Sequence, residues 1–234
     1  MSAPNQAISQ TQAQTPTQAP DEKRPDVSRF LMTHSAMRTC FAHVAATAAK
    51  LEPGPPSAAD RPRTDALEQH LAMLLWVLKG HHEGEDEDVW PSLERYAPEA
   101  KPILAELEAE HVHLDALISA AADTSVPLRE RTDVLSELQS TVNVHLDKEE
   151  AGVVPLILEK MPVEEWERLE KTAQVKSRAQ KQYMPYIVGW LFDSLPVEVR
   201  AEAFKSAPLL LRVLWKVSWR KKYEEQMRLA FSSL

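Results

Sequence analysis

The sequence predicts an all-α protein, an antiparallel up-down four-helix bundle followed by a C-terminal helical extension. Three observations carry that prediction. Beyond residue 26 the apolar residues recur at three- and four-residue spacings, the period of a helix with one buried face. Glycine is scarce, with 5 in 234 residues, where ordinary usage of about 7% would give roughly 16. An all-β fold needs more glycine turns than that, and no glycine-rich loop of the kind that cradles phosphates or dinucleotides is present. Finally, Cys40 is the one cysteine, which excludes a disulfide framework or a cysteine-type zinc finger. A net charge of −8 argues against a nucleic-acid binder.

The elements follow in order. Residues 1–25 are rich in Gln, Thr, Ala, Ser and Pro and hold no aromatic residue, the composition of a disordered tail. They lack the basic and apolar regions of a signal peptide. No later stretch is long and apolar enough to span a membrane, so a cytoplasmic protein is expected. A first helix is expected over Val27–Leu51, with Phe30, His34, Met37, Phe41 and Val44 on one stripe. Residues 52–63 hold four prolines and a glycine and read as a loop. A second helix starts at Thr64 as N-cap, carries Leu67, Leu71, Leu74, Leu78, His81 and Glu85 on one face, and continues past Pro91 with a kink. A third opens near Pro102, with Leu104, Leu107, His111, Leu114 and Ile118. A fourth, from about Leu128, presents Leu135, Leu138, Val142, His145 and Glu149. The bundle is thus expected over residues 26–160. The extension, 161–234, is broken at Pro185, Pro196 and Pro208 and holds four of the six tryptophans, Trp166, Trp190, Trp215 and Trp219.

An internal echo points to chemistry. The segments starting at His81 and His145 both read His-x3-Glu-[Asp/Glu]-x4-Pro, ending at Pro91 and Pro155. Four residues turn a helix by about 400°, so each His and Glu lie within about 40° on one face. Both pairs fall on core stripes, where a carboxylate is costly unless it is paired or binds metal. His34 and His111 occupy the stripes of the other two helices. Four histidines and two glutamates therefore converge inside the bundle. This donor set can hold two metal ions with carboxylates bridging them, and it suits iron or manganese, singly or mixed, better than a thiolate-loving metal.

This pattern resembles the hemerythrin-like HHE cation-binding domain over roughly residues 27–160. The resemblance implies a non-haem di-iron centre. His34 and His81 would bind one iron, and His111 and His145 the other. Glu85 and Glu149 would bridge them together with an oxo or hydroxo group. Two positions depart from the oxygen-carrying members. Their third helix bears a second histidine one turn after the first, where this chain has Asp115. Their fourth helix bears a bridging Asp five residues after its histidine, where this chain has Glu149 at four. Both departures argue against reversible oxygen carriage, and Asp115 is expected as an additional metal ligand or as a base beside the ligands.

Among the remaining histidines, His82 with Asp86 offers an alternative register, but the echo at His145 favours His81 with Glu85. His43 and His113 point away from the stripes, and His70 lies about 16 Å along the helix from His81. Gly80, Gly84 and Gly152 flank the motifs, where small residues would leave room for a diatomic ligand or let helices approach. Residues 205–234 carry seven Lys/Arg and two Asp/Glu, a net +5 against −13 over the rest. This basic, Trp-bearing end is expected to dock on the acidic bundle, with a peripheral membrane or protein contact as the other uses of such a helix. The function classes are a module binding or sensing O2, NO or peroxide, a di-iron oxidoreductase, and a structural or metal-storage bundle.

Overall fold

The computed structural model of the chain describes residues 23–177, 181–195 and 197–231. The expected tail falls almost wholly outside these residues, as does Pro196. Among the described residues all regular structure is helical. The first part comprises α1 (Ser28–Ala48), α2 (Arg61–Gly84), a π turn (Glu85–Val89), α3 (Trp90–Tyr96), α4 (Lys101–Ala121), α5 (Thr132–Gly152) and α6 (Val154–Lys160). α5 packs along α1 and α4, and α2 completes the four-helix bundle by contacting the same two helices.

Prolines set several boundaries. Pro62 and Pro102 sit in the first turns of α2 and α4, where a missing N–H costs nothing. α2 therefore begins at Arg61 rather than at Thr64, whose hydroxyl donates to the Asp60 carbonyl at 3.2 Å inside the first turn. Pro91 and Pro155 act differently. Each lacks an N–H, and each ring crowds the carbonyl four residues earlier. Before Pro91 the chain widens into the π turn, and before Pro155 the helix breaks at Val153. The first distortion begins at the motif glutamate Glu85, and the second lies four residues beyond Glu149.

The interior is layered. One apolar cluster includes Phe41, Val44, Leu71, Leu74, Leu138 and Val142. A second includes Trp90, Leu93, Leu107, Val153, Ile157 and Trp166. Between them lies a layer of buried His and Glu.

The extension comprises α7 (Val163–Ser177), α8 (Met184–Ser194), α9 (Val197–Ser206), α10 (Leu209–Leu214), a second π turn (Trp215–Trp219) and α11 (Arg220–Phe231). α8 lies against α1, and α11 runs along α2. The Trp166 indole donates to the Asp26 carbonyl at 2.9 Å, the Trp190 indole to Ala36 at 3.3 Å, and the Gln226 amide to Ala66 at 2.5 Å. The extension thus shares the bundle's core, which accounts for the burial of Cys40, whose thiol is pushed up to about 12 by desolvation. Among the described residues no helix is long and apolar enough to cross a membrane.

Candidate metal centre

Each bundle helix supplies one part of the polar layer: His34 from α1, His81 and Glu85 from α2 and its π turn, His111 from α4, and His145 and Glu149 from α5. His34, Glu85, His111, His145 and Glu149 are buried, and the His81 side chain keeps 11% exposure.

The six form two linked groups. Nε2 of His34 and His81 lie 3.1 Å apart, and so do Nε2 of His111 and His145. Glu85 reaches both pairs, with Oε1 at 3.1 Å from His81 and Oε2 at 3.7 Å from His111. Glu149 does the same, with Oε2 at 3.4 Å from His34 and Oε1 at 2.7 Å from His145. Each carboxylate therefore shows one oxygen to each histidine pair.

The outer nitrogens fix the tautomers. Nδ1 of His34 donates to Glu150 at 3.0 Å, that of His111 to Asp86 at 2.8 Å, and that of His145 to Glu110 at 2.9 Å. An ionised carboxylate can only accept, so each proton sits on Nδ1 and each Nε2 turns a lone pair inward. Arg38 binds Glu150 at 3.0 Å, and Lys148 binds Glu110. Sequence reasoning weighed Asp86 only as a partner of His82 and did not single out Glu150 or Glu110, although Asp86 and Glu150 are the acidic position after the glutamate in both copies of the echo, and Glu110 directly precedes His111.

The electrostatics of the first histidine pair agree. Burial holds His34 down to about 4, against the pull of Glu149, and His81 down to about 3, with His34 adding to the effect. Both are neutral imidazoles at pH 7. Burial and then the neighbouring Glu149 push Glu85 well above the usual carboxylate range. Burial pushes Glu149 the same way, but His111 and His145 outweigh it and hold Glu149 low. Burial lowers His145, but Glu149 and Glu110 raise it on balance. Imidazole nitrogens crowded together at 3.1 Å in the interior, and buried carboxylate oxygens gathered around them, are unfavourable unless a cation lies among them. The donor set fits a metal.

His82 also joins the site. Its ring stacks on His111 at 4.2 Å and 14°, with His145 at 5.2 Å. Both of its nitrogens are buried without a hydrogen-bond partner, and burial holds it well below its ordinary value. One atom each from His82, His111 and His145 lie within 4.8 Å of one another. The tandem His81-His82 was the available signal, for adjacent residues on α2 look toward α1 and toward α4 and α5 respectively.

Asp115 is a correction. Its side chain is half exposed and lies 3.8 Å from Lys79 on the surface. The buried residues of α4, Leu107, Leu114, Leu117 and Ile118 among them, centre roughly 90° from Asp115 round the helix. The glycines divide. A side chain at Gly80 or Gly84 would meet nothing within 4 Å, whereas Gly152 faces Ile103 of α4 at 3.3 Å, so of these three Gly152 alone marks a close helix approach.

Fold and site together define a cation-binding helical bundle with buried His/Glu clusters of metal-ligand type. The chain belongs to the hemerythrin HHE cation binding domain family, which matches residues 26–157. Neither the curated proteins nor the solved structures yield a match.

Proposed function

We propose that the protein is a non-haem di-iron protein that binds or senses a small ligand, O2, NO or peroxide, in a response to oxidative or nitrosative stress or to iron. The observation carrying this reading is the pair of buried carboxylates, each divided between two histidine pairs, as a shared dinuclear site requires. Imidazole and carboxylate donors suit iron, and an iron pair supplies reversible redox change and small-ligand binding.

The residues divide unequally. His34, His81, Glu85 and Glu149 would hold the first ion with four donors. His111, His145 and His82, with the same two glutamates, would hold the second with five. His82 thereby fills the place the sequence had suggested for Asp115. The first ion keeps more room for an exogenous ligand. Phe30 covers that side, with ring centroids 4.2 Å from His34 and 5.3 Å from His81. Glu150, Asp86 and Glu110 hold protons on Nδ1 and keep the imidazoles aimed inward. With His81 only 11% exposed and the other donors buried, the centre admits a diatomic or peroxide more readily than an organic substrate.

The test is anaerobic reconstitution with ferrous iron, a metal count, and optical titration with O2, NO and hydrogen peroxide. About two irons per chain are expected, as in other carboxylate-bridged bundles, together with a stable NO or O2 adduct. Rapid O2 evolution from peroxide would instead select the oxidoreductase. A chain that takes up no iron, or that binds it unchanged after Glu149→Ala, would overturn the reading.

A further inference from the structure

The helix running through α10 and the second π turn has two apolar faces. One faces inward: Trp215 packs on Phe192 at 6.0 Å and on Tyr223 at 5.9 Å. The other faces outward. Leu209, Val213 and Val217 are 67%, 48% and 78% exposed, and Leu210 beside them is 71% exposed. The first three recur every four residues and form one ridge along the helix. Trp215 is turned toward the protein and these aliphatics toward solvent.

The ridge is bordered by cations. Lys216, Arg220, Lys221 and Lys222 are exposed, and no Asp or Glu occurs from Ala203 to Tyr223. Arg220 pairs with Glu224 at 2.7 Å, Lys216 lies over the Phe204 ring at 5.9 Å, and Arg212 donates to the Lys205 carbonyl at 2.9 Å. The rest of the chain is strongly acidic, −13 against +5 over residues 205–234.

We propose that this ridge docks the protein on an anionic lipid surface, with Leu209, Leu210, Val213 and Val217 entering the headgroup boundary and the flanking lysines meeting lipid phosphates. Three observations favour that occupant. The ridge is exposed and purely aliphatic, so it suits a fluid surface that needs no shaped counterpart. Protein interfaces are anchored by Trp, Tyr and Arg in pockets, and here the tryptophan of the ridge helix's core face is spent inward. Self-pairing through the ridge would set Lys216 and Lys221 against their own counterparts, a like-charge contact. An anionic bilayer attracts the basic end and repels the acidic body, so the charge split also orients the molecule.

The experiment is flotation of the full-length, metal-loaded chain with vesicles of phosphatidylcholine alone or mixed with phosphatidylglycerol. Binding is expected only to the anionic vesicles, weakening as salt rises. Lys216→Gln/Lys221→Gln/Lys222→Gln should weaken it about fivefold per lysine removed. Leu209→Ser/Val213→Ser/Val217→Ser should abolish it, with helix content and metal count unchanged because all three side chains face solvent. Absence of binding to anionic vesicles at low salt would overturn the proposal, as would indifference to both triple variants. A dimer, or a complex with an acidic protein, that the serine variant dissolves while no vesicle binding is seen would reassign the ridge to a protein contact.

Discussion

A buried histidine is usually quieted by giving each nitrogen a partner. Here His34, His111 and His145 satisfy only Nδ1, each through a carboxylate from another helix, and turn Nε2 toward one another. The outer acid holds the ring's proton and its aim, so removing it should cost metal rather than fold. Asp86→Ala is expected to weaken iron binding roughly 10- to 100-fold, measured by competition with a chelator. Asp115→Ala is the contrasting variant: half exposed beside Lys79, it should leave iron content unchanged and move stability by less than about 0.5 kcal/mol. Four of the six inner residues were legible because His-x3-Glu is written twice on core stripes, and His34 and His111 because they fall on the stripes of the other two helices. His82 and Asp86 entered only as an alternative to His81 and Glu85, and Glu110 and Glu150 did not stand out. Spacing tells which side of a helix a residue takes, but reaching across to a neighbouring helix depends on how the helices pack, and no periodicity in one segment encodes it.

At the level of elements, the trailing prolines of the echo proved as informative as its ligands. Pro91 and Pro155 each distort the helix at or just past a motif glutamate, and the π turn beginning at Glu85 carries Asp86 to within 2.8 Å of His111. The kink could be read from proline alone, whereas its form as a π turn could not, since nothing local chooses between a widened turn and a break. The start of α2 was misjudged for a related reason: Thr64 has the chemistry of a cap, but Pro62 already marks the first turn. In the extension, α8 and α11 meet at Gly189, where the Tyr223 ring lies in the space a Cβ would take, and the Tyr223 hydroxyl donates to Asp193 at 2.6 Å. Gly189→Ala should overpack this crossing and cost about 1–3 kcal/mol. Chemical denaturation would measure the loss, and limited proteolysis should show earlier cutting in the extension than in α1–α5.

For the whole molecule, the extension also buries His70, whose ring meets the edge of Phe231 at 5.2 Å. Burial, helped by His43, holds His70 down to about 4 from its ordinary 6.5. The unfolded chain takes up this proton below pH 6.5, while the folded chain resists until about pH 4. The contribution to stability is therefore whole above pH 6.5, declines as the pH falls, and is lost below about 4, a span on the order of 3 kcal/mol. His70→Leu should flatten the fall in urea midpoint between neutral pH and about pH 4.5 relative to the parent chain. The layered interior has a consequence of its own. The four long helices are gripped by hydrocarbon above and below the centre, but at the centre they are joined by groups that repel one another until a cation arrives. Amide hydrogen exchange on the metal-free chain should therefore start from the waist, around His34, Glu85, His111 and Glu149, with both ends still protected, and metal loading should slow the waist far more than the ends.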